Sequence, residues 1–328
     1  MAKPKKADVR SDSKKELTAW MDDKFGKGLI RPMGEIVTEP IARIPSTSIT
    51  LNHALHGGLP VGKLVEIYGV NSGGKTTLTL DFIKNAQAMG EVAFIDAEHS
   101  LDLEWAKFLG VDTERMWFSQ PSCGEDAIEM VRAFVKSGDF RLVVVDSVAA
   151  LVPRSELEGD IGEAHMGKQP RLMAQACRIL KGLCDQHNCT VIFINQTRKN
   201  MSGYGATDVT TGGEALKFFA DVRIEIKIVK ALSEDNQRGG HISKVTVIKN
   251  KWGRAYDFTE LTVKYGIGFD FVNELLTMAI TAGIADKSGS WYEYAGKRVQ
   301  GEDAMVTYLR ETPAVLAKLT EQVTLKGE

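Results

Sequence analysis

The chain has 328 residues, 43% of them hydrophobic and 26% charged, with a formal net charge of -2. This fits a soluble globular protein of one large domain with an appendage, or of two domains, and excludes a global basic field, so any nucleic-acid partner would be met by local clusters. No run approaches the roughly 18 apolar residues of a membrane span; Cys123, Cys177, Cys184 and Cys189 show no CxxC spacing and no secretory leader precedes them, so reduced structural thiols and a cytoplasmic location are expected.

The N-terminus MAKPKKADVR is basic and lacks an apolar core, as in a solvated arm. In SKKE (13–16), Ser13 has the position of a helix cap and Glu16 that of its capping-box partner. Leu17, Trp20, Met21 and Phe25 follow at helical spacing, and Gly26 and Gly28 end the helix. It either packs on its own domain or, being separated from the core by RPMGEIVTEP, docks on a neighbouring subunit.

From position 60 the pattern is strand, turn, helix, repeated. KLVEIYG leads into a glycine loop, EVAFIDAE into HSLDLEWAKFLG, LVVVDS into VAALVPRSE, and TVIFINQ into a polar segment. Short Val- and Ile-rich runs alternating with helical stretches predict buried parallel strands with crossover helices, an α/β fold with a mostly parallel central sheet. Three runs end in polar residues: Asp96 and Glu98, Asp146 and Ser147, Asn195 and Gln196. Ligands of open α/β sheets bind at the carboxyl ends of the strands, so these termini and the glycine loop are expected along one edge.

Two long segments break the rhythm, 156–171 (ELEGDIGEAHMGKQPR) and 197–213 (TRKNMSGYGATDVTTGG), and loops of such length are usually functional or disordered. DVRIEIKIV and KVTVIKNK then alternate like strands. From about Phe271 the chain turns helical and carries WYEYAGKRV, a predicted hairpin in a small C-terminal domain. The expected organisation is an arm and helix over 1–34, a core over 35–270 and the C-terminal domain over 271–328.

Gly69, four residues, then Gly74, Lys75 and Thr76 match the phosphate-binding pattern GxxxxGK[ST]. Glycines let successive backbone N–H groups wrap a phosphate, and the following helix adds its positive N-terminus. Gly69, Val70, Asn71, Ser72, Gly73, Gly74, Lys75, Thr76 and Thr77 are therefore expected to hold a nucleotide. Lys75 would bridge the β- and γ-phosphates, and the Thr76 hydroxyl and Asp146 would serve Mg²⁺. Glu98, on the strand of EVAFIDAE, is the best-placed carboxylate to activate water. Asp96 is its rival from the same strand.

IYGVNSGGKTTLTL, FIDAEHSLD, VVVDSVAALVPRSELEGDIGEAHMG, FINQTR, TTGGEALKF and VIKNKWG together resemble the RecA family of bacterial-type recombination ATPases, in that family's order and over most of the chain. The resemblance implies a filament on single-stranded DNA, homologous pairing with double-stranded DNA, strand exchange, and ATP hydrolysis between protomers with ATP and Mg²⁺ as cofactors. It matches Glu98 to the water-activating glutamate and Gln196 to the glutamine that senses the γ-phosphate. Lys249 and Lys251 match lysines that reach the neighbour's ATP, and Phe218 a subunit-interface residue. Asp102 and Trp105 fall at the adenine, and Tyr265 is counted with the nucleotide contacts. The two irregular segments match DNA-binding loops, with Met166, Gly167, Arg171, Arg198, Lys199, Met201, Gly212 and Gly213 as candidates. Independently, Gly203, Gly205, Gly212 and Gly213 would let backbone approach phosphates, and Met166 and Met201 would wedge between bases. The resemblance also favours the N-terminal helix docking on the next protomer, and implies DNA repair and an SOS response, with repressor and loading proteins as further partners.

The chain departs from the family pattern in several places. Its phosphate loop reads GVNSGGKT where GPESSGKT is usual, and Trp105 stands where Tyr is usual. IPSTSITLN lacks the Thr-Gly and Asp found there in relatives, the second loop lacks its usual Phe, and no long acidic tail follows LTEQVTLKGE. A ring helicase would need an arginine finger, which is not evident. A filament scaffold that stimulates cleavage of a repressor could coexist with recombination, and a small-molecule kinase would need an acceptor pocket. Cys177/Cys184 and His53/His56 lack metal-ligand spacing, so no structural metal is expected.

Overall fold

The computed structural model describes residues 8–28, 33, 40–160, 167–200, 207–234 and 237–327, which fall into two compact units, 1–41 and 42–328. The first holds α1 (Asp8–Phe25), on which Leu17, Trp20 and Phe25 are exposed and the Trp20 and Phe25 rings meet edge to face. Ser13 does not cap this helix. Residues 8–12 contain neither Gly nor Pro, so nothing in the sequence stops the helix from extending past the expected start. It stops where predicted: Gly26 and Gly28 adopt φ of 104° and 76°, and the Gly28 N–H donates to the Asp22 carboxylate at 3.0 Å.

In chain order, the second unit opens with β1 (Arg43–Ile44), α2 (Ile49–Leu55), β2 (Leu59–Pro60), β3 (Leu64–Gly69) and α3 (Lys75–Ala86). Next come β4 (Glu91–Asp96), α4 (Leu103–Phe108), β5 (Met116–Ser119), α5 (Gly124–Ser137) and β6 (Phe140–Asp146). A 3₁₀ turn (Val148–Ala150) and α6 (Arg154–Leu157) lead to α7 (Lys168–His187), β7 (Thr190–Asn200), β8 (Thr207–Thr210) and α8 (Ala215–Phe219). The core ends with β9 (Val222–Glu234), β10 (Gln237–Asn250), β11 (Phe258–Lys264) and β12 (Gly268–Phe269). Last are α9 (Phe271–Thr281), β13 (Asp286–Ser288), β14 (Trp291–Tyr294), β15 (Lys297–Gln300), α10 (Glu302–Glu311) and α11 (Pro313–Gly327).

The main sheet runs β12-β11-β10-β9-β3-β7-β6-β4-β5. The strands from β9 to β5 are mutually parallel, and β10, β11 and β12 add an antiparallel flank. Parallel strands covered on both faces are largely apolar, and every residue of β3 is buried, Glu66 included. One core lies between the sheet and α2, α3 and α4; the other lies between the opposite face and α5 and α7. The register aligns the strand ends that matter: Gly69 sits beside Gln196, and Asp96 beside Asp146.

The segment expected to be an irregular loop over 197–213 is a β-hairpin at its flanks. β7 continues to Asn200 and pairs antiparallel with β8, Thr197 opposite Thr210 and Lys199 opposite Asp208. Thr197, Thr207, Val209 and Thr210 favour extended backbone, and pairing satisfies the polar main chain. The C-terminal segment forms β13-β14-β15, including the expected WYEY hairpin, around its own small core. Asp270 caps α9 and is paired with Lys264 at 3.1 Å and Arg310 at 2.6 Å. Glu274 on α9 accepts from the Ser48 hydroxyl and from the Thr50 N–H and hydroxyl, joining this domain to the core. Among the described residues no helix is long and apolar enough to cross a membrane.

Candidate nucleotide site and its link to the DNA segments

The phosphate loop bridges β3 and α3 through backbone that side chains resist. A Cβ at Gly69 would lie 2.1 Å from the Ile226 carbonyl oxygen, and one at Gly74 would lie 3.0 Å from the Phe269 ring. Gly74 has φ of 94°, and Ser72 takes the left-handed conformation at 58°. The buried Lys75 side chain donates to the Val70 carbonyl at 2.8 Å and to that of Gly69 at 3.3 Å. Burial lowers its pKa, while Asp146 and Glu98 oppose that shift.

At the end of β6 the Asp146 carboxylate accepts from the Thr76 hydroxyl at 2.9 Å. Burial pushes this carboxyl up to about 6, assisted by Glu98 and Asp96 and opposed by the Thr76 hydrogen bond and Lys75. A hydroxyl and a carboxylate side by side are the hard oxygen donors that suit Mg²⁺. Next to the phosphate loop lies a cavity of about 460 Å³ lined by Ser72, Lys75, Thr76, Trp105, His241 and Tyr265, among others. Asp102 does not line it. Its carboxylate accepts from the Trp105 N–H at 3.1 Å and caps α4, the commonest use of an Asp just before a helix.

Asp96 and Glu98 part company. β4 ends at Asp96, so Glu98 is not on the strand: two residues beyond its end, it lies in a turn whose N–H donates to the Asp146 carbonyl at 3.0 Å. The buried Asp96 carboxylate accepts from the N–H groups of Ser100 and Leu101 and from Gln120, all three spent on holding that turn. Glu98 instead accepts from the Gln196 amide at 3.0 Å.

Gln196 itself is set by Asn195, wholly buried beneath it. The Asn195 side-chain oxygen accepts from the Gln196 N–H and the Thr211 hydroxyl, and its amide donates to the Thr211 carbonyl at 3.0 Å and to Glu66 at 2.9 Å. Glu66, fully buried in β3, is paired with Arg223 Nε at 2.5 Å. Arg223 stacks 4.6 Å from the Tyr68 ring and sits opposite Lys249 on the next strand. The Lys249 ammonium donates to the Lys217 and Phe218 carbonyls at the end of α8, where Phe218 is 71% exposed. Lys251 lies 3.8 Å from the buried Asp221.

Of the DNA candidates, Met166 and Met201 lie outside the described residues, as do Gly203 and Gly205. Gly167 caps α7 with φ of 80°, Arg171 is exposed in its first turn, Arg198 is exposed on β7, and Lys199 lies further along that strand. Gly212 and Gly213 have a steric reason within the fold to lack a side chain. Both have positive φ, and a Cβ at Gly212 would lie 2.6 Å from Val148, one at Gly213 3.0 Å from Pro170. Gln169 also donates to the Val148 carbonyl at 2.9 Å. The ends of the two segments thus mesh with each other and with the turn after Asp146.

A family model described as the RecA N-terminal domain matches residues 14–270, and one described as the RecA C-terminal domain matches 273–327. The chain belongs to the RecA family. It is similar to the protein RecA of Campylobacter lari, 46% identical over 308 residues that span 92% of this chain and 90% of that one. The RecA of Streptomyces rimosus is 45% identical over 94% of this chain and 83% of its own, and that of Leifsonia xyli 43% identical over 94% and 87%. RecA function follows: a recombinase that binds DNA, forms filaments and hydrolyses ATP in a DNA-dependent manner. Glu66 and Arg223, beneath Asn195, and His241, in the cavity wall, are not among the residues the sequence singles out. The one local signal was an acid inside the otherwise apolar run LVEIY.

Proposed function

We propose that ATP is held with its phosphates on the Gly69–Thr77 loop and its base between Trp105 and Tyr265, and that Glu98 orients the attacking water. The hydrogen bond between Gln196 and Glu98, 3.0 Å long, carries this reading. It joins the water-activating group to the strand that runs directly into the DNA hairpin. A γ-phosphate arriving between them offers Gln196 a second anionic acceptor, with three oxygens and more charge than the Glu98 carboxylate, and so competes for its amide. That exchange frees Glu98 and shifts the hairpin toward a DNA-gripping population. Lys75 bridges the phosphates once it leaves the loop carbonyls. Magnesium would be held by Thr76 and Asp146, and supplies neutralisation of charge on the phosphates.

Lys249 and Lys251 complete the neighbouring protomer's site, with Phe218 and α1 at the protomer interface. Arg171, Arg198 and Lys199 meet the backbone of single-stranded DNA, and duplex DNA is then tested for homology in the cytoplasm. The test is ATP hydrolysis at low salt, with and without single-stranded DNA, for the wild type, Glu98→Gln and Gln196→Ala. Strong stimulation that vanishes in Glu98→Gln is expected, with Gln196→Ala binding ATP but losing nucleotide-dependent DNA binding. Equal rates with and without DNA would overturn the mechanism.

A further inference from the structure

At the end of the sheet opposite the phosphate loop, two lysines share one buried carboxylate. Asp221, just before β9, is 1% exposed. Its Oδ1 is paired with Lys181 on α7 and lies 3.8 Å from the ammonium of Lys251, just past β10. Its Oδ2 accepts from the Leu64 N–H at 3.2 Å. Its own N–H donates to the Leu64 carbonyl at 2.8 Å, and its carbonyl accepts from the Lys251 N–H at 3.0 Å. The carboxylate is thus fixed where β3, β9 and β10 meet, whereas both lysine side chains are partly exposed. Pairing with one ammonium partly neutralises the carboxylate and weakens its hold on the other. Lys181 is in direct contact, and Lys251 stands off. More positive charge crowds the place: burial lowers the pKa of Lys249, and Lys251, Arg223 and Lys181 push it the same way while Asp221 opposes.

Leu64 opens β3 and Gly69 closes it, so at about 3.3 Å per residue the cluster lies roughly 16 Å from the phosphate loop of its own chain. That is beyond a lysine's reach, so a nucleotide that Lys251 meets belongs to a second protomer. Reaching it means leaving Asp221, and a buried carboxylate stripped of its last counter-ion is costly. Lys181 stays behind and covers that charge. We propose that Lys181 is a positioning residue for hydrolysis between protomers: by holding the Asp221 carboxylate, it releases Lys251 to the neighbour's ATP. The inference rests on the role given to Lys251 above.

The experiment follows ATP hydrolysis by the full chain on single-stranded DNA across ATP concentrations. It compares the wild type with Lys181→Met, Lys181→Arg, the double variant Lys181→Met/Asp221→Asn, and Lys251→Met as the reference. Without Lys181, Asp221 has Lys251 alone, so a smaller fraction of protomers presents that lysine to its neighbour. The half-saturating ATP concentration of Lys181→Met should rise about three- to fivefold, the worth of one partly exposed ion pair, with the rate at saturating ATP unchanged. Lys181→Arg keeps the counter-ion and should match the wild type. In the double variant the amide oxygen still accepts from Leu64 but has no charge to detain Lys251, so half-saturation should return to the wild-type value. A merely structural Lys181 predicts instead a lower urea midpoint and a lower saturating rate for Lys181→Met, with no recovery in the double. Unchanged half-saturation in Lys181→Met, or a double variant as impaired as the single, overturns the proposal. If Lys251→Met hydrolyses ATP as the wild type does, the role of Lys251 fails and this inference with it; an impaired Lys251→Met beside an indifferent Lys181→Met overturns this inference alone.

Discussion

Arg223→Met should be among the most damaging single changes outside the phosphate loop. Glu66 is fully buried, and its two carboxylate oxygens are used by Arg223 Nε at 2.5 Å and by the Asn195 amide at 2.9 Å. Methionine keeps much of the length that packs on Tyr68 but removes the charge, leaving a buried carboxylate with one neutral donor. Breaking a buried pair from one side costs about 3–5 kcal/mol, because the remaining charge is desolvated without compensation. Glu66→Gln should be milder: its amide oxygen still accepts from Asn195, and the guanidinium, at 11% exposure and stacked on Tyr68, keeps some access to water. In the double variant Glu66→Gln/Arg223→Met no charge is stranded, so the double should be more stable than Arg223→Met alone, by about 2 kcal/mol. Urea unfolding followed by circular dichroism reads all three. A cost below about 1 kcal/mol for Arg223→Met, or a double variant as unstable as the two singles summed, would refute the picture of a mutually dependent buried pair.

Gly212→Ala places a Cβ 2.6 Å from Val148 at a φ of 79°, so a loss of about 1–3 kcal/mol in urea and a fall in DNA-stimulated ATP hydrolysis are expected; a wild-type midpoint would count against the meshed glycines. Burial raises the pKa of Glu274, with the Thr50 and Ser48 hydrogen bonds opposing. A carboxyl raised in the folded state favours folding while protonated. Its contribution is therefore present below the ordinary carboxylate range and lost as pH rises through the raised value. Wild-type stability relative to Glu274→Gln should fall across that window, and a flat difference would contradict it. Cys177 and Cys189 are buried with thiols pushed up to about 12, and Cys184 is raised likewise. All three should resist a thiol-labelling reagent at neutral pH in the native protein and react once it is unfolded in denaturant.

Much of this architecture was legible because its signals are local. A strand, a GxxxxGK[ST] turn and a helix are contiguous in sequence, and polar residues ending Val- and Ile-rich runs marked the strand termini that gather at the site. What escaped depends on register. Glu66 and Arg223 are 157 positions apart, and only the parallel pairing of β3 with β9 brings them together. In DVRIEIKIV the arginine is one of several charges in an alternating run, with nothing local to set it apart. His241, in GGHISKV, has no local mark at all. Asp96 stood as a rival to the favoured Glu98 because nothing local shows where a strand ends; the three donors gathered around Asp96 separate them. Gly212 and Gly213 are legible as places where backbone can meet phosphate; the neighbours that also require them to be small, Val148 and Pro170, come from elsewhere in the fold.

The meshing of Gly212 with Val148 and of Gly213 with Pro170 has a consequence for anyone exchanging parts between RecA relatives. The seams belong inside the paired strands, so that only 201–206 changes hands. A graft cut at 197 and 213 would import foreign roots and carry away half of a joint whose other half stays behind at 148 and 170. Divergence among relatives should follow the same boundary, drifting freely in the interior of each segment while the roots change only in concert.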